Sequence, residues 1–84
     1  MVQICISEET CIDIYETDGF YADISLFKSK HLLGPEYDLA SLNQNVLNFI
    51  HDFCSYSKIE ESQRLELQAL ETDLVNCQLE ESDL

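Results

Sequence analysis

The chain has 84 residues, 45% of them apolar, with two glycines and one proline; that suits one modest core, burying roughly 60–65% of the unfolded surface, and argues against a disordered or fibrous chain. Seventeen acids against four bases give a net charge of −13. Affinity for free nucleic acid rests on Lys and Arg contacts to phosphate, so the few and scattered Lys28, Lys30, Lys58 and Arg64 argue against direct nucleic-acid binding.

The opening residues Met1–Glu9 lack a basic segment followed by an apolar one, as a secretory signal requires. No apolar run approaches the roughly 20 residues of a membrane span. The chain is therefore expected in the cytoplasm, with Cys5, Cys11, Cys54 and Cys77 as reduced thiols.

Residues 1–27 read as a three-stranded antiparallel meander. Val2, Ile4 and Ile6 alternate with polar residues, Ser7-Glu8-Glu9 is a turn, and Thr10–Tyr15 alternates again. Phe20–Phe27 is the third strand. Thr17-Asp18-Gly19 is a three-residue loop, with Gly19 suited to a left-handed position. That loop length pairs Ile14 with Ala22 and Ile12 with Ile24 on the inner face. A two-residue loop would set Ile12 against Asp23 and mix the faces. The outer face then pairs Tyr15 with Tyr21 and Asp13 with Asp23, and like charges directly opposite destabilise a sheet.

Residues 28–37 read as a linker, because Gly34-Pro35 punctuates regular structure; Leu32 and Leu33 are expected to tuck over the core edge. The stretch 38–56 is the core helix. Leu39, Leu42, Val46, Phe49, Ile50 and Phe53 make one apolar stripe at helical spacing. Asp38 can cap its start, and Ser41 with Gln44 offers a second capping box. Residues 57–79 are expected as an acidic helix opened by a Ser57–Glu60 box, with Ile59, Leu67, Leu70, Leu74 and Cys77 facing the first helix as a helical hairpin. Leu65, Val75 and Leu79 fall off that stripe. Residues 80–84 are expected to fray. The fold class is α+β, one domain of order βββαα, with both helices packed on one sheet face.

No motif for chemistry stands out. The chain has no C-x-x-C, and neither histidine lies at ligand spacing from a cysteine. His51 and Cys54 are close enough for contact, but no third group orients them. Counting back from Gly19 puts Ile14 at the first position of an EF-hand loop, which breaks that pattern. Glycine-rich phosphate loops and nucleophile elbows are absent. We therefore expect no enzyme, no cofactor and no metal.

What remains is an acidic display. One part is Glu8, Glu9, Asp13, Glu16, Asp18 and Asp23, with Tyr15 and Tyr21 as aromatic contact area. The other is the last helix, with Glu60, Glu61, Glu66, Glu71 and Asp73. Eight acids from Glu60 to Asp83 would span on the order of 35 Å on a continuous helix, about the charge spacing of a nucleic-acid strand. These residues are the expected partner-binding set, and the expected partner is a basic nucleic-acid-binding protein whose groove they would fill. In size, charge and layout the chain is similar to phage-encoded anti-CRISPR and anti-restriction proteins. The likeness rests on no motif; if the chain is phage-encoded, its compartment is the host cytoplasm. The alternative is a protein–protein adaptor or small regulatory subunit, a homodimer through Leu65, Val75 and Leu79, in which the charge serves solubility.

Overall fold

The computed structural model describes residues 1–56, 58–77 and 79–84. Four strands come first: β1 (Val2–Ser7), β2 (Thr10–Glu16), β3 (Phe20–Leu26) and β4 (Ser29–Glu36). Helices α1 (Leu39–Tyr56) and α2 (Glu61–Asn76) follow, then a short 3-10 turn, Glu81–Asp83. The strands form one antiparallel sheet in the order β1-β2-β3-β4. Helix α1 lies under β3 and β4, and α2 under β1 and β2, so both helices cover the same sheet face. The α+β architecture of the sequence analysis is present, with one strand more than expected.

The β2–β3 register is the one that burial demands. Ile12 faces Ile24 and Ile14 faces Ala22 on the inner side, while Asp13 faces Asp23 and Tyr15 faces Tyr21 outside. Ile12, Ile14, Ala22, Ile24 and Leu26 meet Leu39, Leu42, Val46 and Ile50 of α1 and Leu67, Leu70 and Leu74 of α2, all buried. Each such side chain contributes roughly 1.5–3 kcal/mol by leaving water. Phe49, Phe53 and Ile59 pack half-buried against this cluster. Asp38 caps α1 as expected: the Ser41 N–H donates to Asp38 Oδ1 at 2.6 Å, which holds the Asp38 carboxyl below the ordinary range. The Ser41–Gln44 box is not used; Gln44 Nε2 instead donates to Asn48 Oδ1 at 3.1 Å.

The expected linker 28–37 is mostly strand. Phe27 takes a left-handed φ of 60°, which lets the chain reverse so that Leu26 pairs with Ser29. Pro35, with no N–H to give, sits on an edge strand where no ladder bond is lost. Gly34 takes a φ of 120° where the β3–β4 register shifts between Phe20 and Ala22. A Cβ on Gly34 would lie 2.5 Å from the Phe20 carbonyl oxygen. Leu33 packs on the core, whereas Leu32 points outward and is 57% exposed. Gly19 is not in the left-handed region; its lack of a side chain admits Pro35, whose Cβ would stand 2.7 Å from a Cβ on Gly19.

Helix α2 starts later and ends earlier than expected. Ser57, the expected cap, lies outside the described residues. The helix opens at Glu61, with Gln63 accepting the Glu60 N–H at 3.0 Å. It stops at Asn76, and Cys77 closes it by donating its N–H to the Asp73 carbonyl at 2.9 Å. The last residues turn back rather than fray: the Asp83 N–H reaches the Glu80 carbonyl at 2.9 Å, and Leu79 and Leu84 pack against the core. Cys5 and Cys11, expected as free thiols, face each other across β1 and β2 and are joined as a disulfide. Cys54 and Cys77 are free. No helix among the described residues is long and apolar enough to cross a membrane.

Candidate functional site

Because both helices cover one face, the other sheet face is open. Its surface follows from strand pairing. Gln3, Asp13, Asp23 and Leu32 form one row, and Cys5, Cys11, Ser25 and Lys30 form the next. Beside the first row stand Tyr15 and Tyr21, stacked with ring centroids 5.5 Å apart and planes 13° from parallel. Tyr21 Oη donates to Asp18 Oδ1 at 2.7 Å, and Thr17 Oγ1 donates to the same oxygen at 3.0 Å. These two bonds, the tyrosine's first, stabilise the carboxylate and hold the Asp18 carboxyl below its ordinary range. The same bond, with the negative charge beside it, raises the Tyr21 phenol.

Asp13 and Asp23 are not equivalent. Asp23 is exposed, while Asp13 is half-buried between its neighbours. Asp13 Oδ1 is shut off from water and receives no hydrogen bond. A buried acceptor without a donor costs free energy on the order of 1–3 kcal/mol.

The expected partner-binding residues do not all meet. Asp13, Tyr15, Tyr21 and Asp23 share the open face. Glu16 and Asp18 stand at the β2–β3 end of the sheet, and Glu8 and Glu9 at the opposite end, beyond the seven residues of β2. That strand is roughly 24 Å long. Glu60, Glu61, Glu66, Glu71 and Asp73 belong to the helix layer on the other side of the sheet. Successive helix residues turn by about 100°, so Glu66 and Asp73 fall on one flank of α2 and Glu71 on the other. Glu66 and Glu71 are half-buried. One partner surface cannot lie flat on Asp23 and on these acids together. The continuous eight-acid rod does not exist, since the helix ends at Asn76.

Three features of the open face have only a weak trace in the sequence. Lys30 and Leu32 arrive on β4, signalled by nothing more than a short alternation with His31 and Leu33. Gln3 arrives through the β1 register. The Cys5–Cys11 disulfide follows from the tight β1–β2 turn, which sets the two residues directly opposite with Cα atoms 4.1 Å apart.

Elsewhere, His51 and Cys54 lie on α1 beside a shallow groove that Arg64 and Glu71 of α2 also line. Arg64 Nη1 donates to the Cys54 carbonyl at 3.3 Å and approaches its Sγ at 3.4 Å. Arg64 thus serves one carbonyl in the last turn of α1, that of Cys54. Among the described residues no three His, Cys, Asp or Glu stand close enough to hold a metal ion. Comparison with family models, with curated proteins and with solved structures gives no match.

Proposed function

We propose that this chain is a small inhibitor that presents its open sheet face to the basic nucleic-acid groove of another protein, in the manner of anti-CRISPR or anti-restriction proteins. The observation that carries this reading is the pairing of Asp13 with Asp23 on the one sheet face the helices leave bare. Like charges opposite one another cost stability, and splaying into water does not relieve the cost for Asp13, whose Oδ1 is closed to solvent. A cationic partner relieves both charges at once. Tyr15 and Tyr21 add a stacked aromatic surface beside them, the residue type that often anchors interfaces. Glu16 and Asp18 extend the contact at one end. Glu60, Glu61 and Glu71, at the start of α2 and on its α1 flank, act at longer range, attracting the partner rather than touching it.

The test is an affinity capture from nuclease-treated extract, eluted with a salt gradient. A retained nucleic-acid-binding protein that leaves at moderate salt, is displaced by added duplex, and is not held by the Asp13→Lys, Asp23→Lys double variant supports the reading. Retention indifferent to salt and to duplex overturns it. That second outcome favours the adaptor or homodimer reading, which draws on Leu65 and Val75, 56% and 62% exposed on α2. Leu79 does not belong to that patch, because it packs on the core.

A further inference from the structure

The two edges of the sheet are built differently. Strand β4 carries Lys30, Pro35 and Glu36 along its length, the charge and missing donor that natural edges use to block further pairing. Strand β1 is Val-Gln-Ile-Cys-Ile-Ser, with neither charge nor proline. Among the described residues no backbone hydrogen bond from another segment reaches its free side. The 4.1 Å Cα separation of Cys5 and Cys11 marks them as a close pair without mutual backbone bonds. The N–H and C=O groups of Cys5, and of Gln3 two residues away, therefore point away from β2. Val2, Ile4 and Ile6 on the helix side are only half-buried.

The chemistry around this edge selects its occupant. Arg64 and Glu71 mark the flank of α2 that faces α1. Glu66 and Asp73 lie on the opposite flank by the 100° rule, beneath the free side of β1. A second copy would bring its own Glu66 and Asp73 against this pair, and each chain carries −13. A strand with Lys or Arg at alternate positions meets no such repulsion. Its basic heads reach Glu66 and Asp73, and their aliphatic stems cover Val2, Ile4 and Ile6.

We propose that the free edge of β1 takes up an extended basic segment of the partner as a fifth strand, its alternate Lys or Arg side chains turned toward Glu66 and Asp73. The cationic character of the partner rests on the function proposed above; the edge and its register do not. In strand addition the backbone bonds give affinity and the alternating side chains give specificity.

Two capped peptides of identical composition separate order from charge: one alternating Lys and Val, one with all Lys before all Val. Titrated into the ¹⁵N-labelled, oxidised chain, the alternating peptide is expected to bind at least tenfold tighter than the block peptide and to slow amide exchange at Gln3 and Cys5. Gln3→Pro, which removes an outward N–H, is expected to abolish that difference. Glu66→Lys with Asp73→Lys, which leaves the edge backbone intact, is expected to weaken the alternating peptide about tenfold, so the test survives a poorly folded proline variant. Equal affinities, with shifts confined to Asp13, Tyr21 and Asp23, overturn the edge proposal and leave the open-face inhibitor standing. A dimer that forms without peptide and protects Gln3 and Cys5 gives the edge to a second copy and also overturns it. Tight alternating-peptide binding by a chain that captures no nucleic-acid-binding protein would retain the edge and remove the groove.

Discussion

A phenol donating to a carboxylate moves both groups, and Tyr21 with Asp18 is such a pair at 2.7 Å. Asp18 is lowered, so its contribution to stability is present above the ordinary carboxylate range and lost as pH falls through its folded value. Tyr21 is raised, so its contribution is present below the ordinary phenol value and lost as pH rises through its folded value. Asp18→Ala is expected to bring the Tyr21 titration down toward the ordinary phenol, followed by NMR of its ring; no movement would show that the bond does not persist in solution. Gly34 makes a second test at this scale. Its φ of 120° and the 2.5 Å approach to the Phe20 carbonyl exclude a side chain. Gly34→Ala is expected to cost more than ~1 kcal/mol in urea unfolding, while exposed Ala40→Gly in the first turn of α1 stays within about 1 kcal/mol. Gly34 was legible in the sequence only as punctuation. The reason a glycine is needed there, close passage over β3, exists only once β4 is paired.

At the scale of elements, the sequence carried the β2–β3 register because one choice of loop length keeps Ile12, Ile14, Ala22 and Ile24 on one face. The α1 stripe was equally plain, and the residues on it are the ones that pack. Strand β4 was not legible, because its turn uses Phe27 in a left-handed conformation that glycine or asparagine normally announces. Its Gly-Pro pair reads as a break unless the strand is known to lie on an edge. The Asp13–Asp23 opposition at the centre of the candidate site was legible from the same loop argument. The division of the acids between two layers was not, since it depends on which sheet face the helices choose. The Cys5–Cys11 crosslink also belongs to pairing: once β1 meets β2, the two cysteines are opposite. A bridge closing so short a loop limits the unfolded chain by about 2 kcal/mol on the chain-entropy argument. Reductant is expected to lower stability by that amount, and the Cys5→Ser, Cys11→Ser variant to show the same loss with no further response. Four titratable thiols in the native, unreduced chain, rather than those of Cys54 and Cys77 alone, would remove the crosslink from this account.

For the molecule as a whole, the deciding quantity is −13 charges within principal extents of 36 × 19 × 18 Å. The screening length is about 30 Å at 0.01 M salt and about 8 Å at 0.15 M. At low salt nearly every acid therefore feels every other, and at physiological salt only its neighbours. Self-repulsion disfavours the compact state, so the melting temperature is expected to rise across that range. Binding to a basic groove runs the other way, because the same ions screen the attraction between the chains. The two effects have opposite signs in one variable, which makes them separable in a single series of buffers. Calorimetry of the free chain and titration with its partner, at matched salt, should give rising stability and falling affinity. Asp13→Lys with Asp23→Lys should flatten the affinity trend more than the stability trend, since it removes the contacting charges and leaves most of the acids in place. If affinity stays level while stability rises, the charge acts only on the chain that carries it. The contact is then apolar, and Leu65 and Val75 of α2 become the surface to mutate.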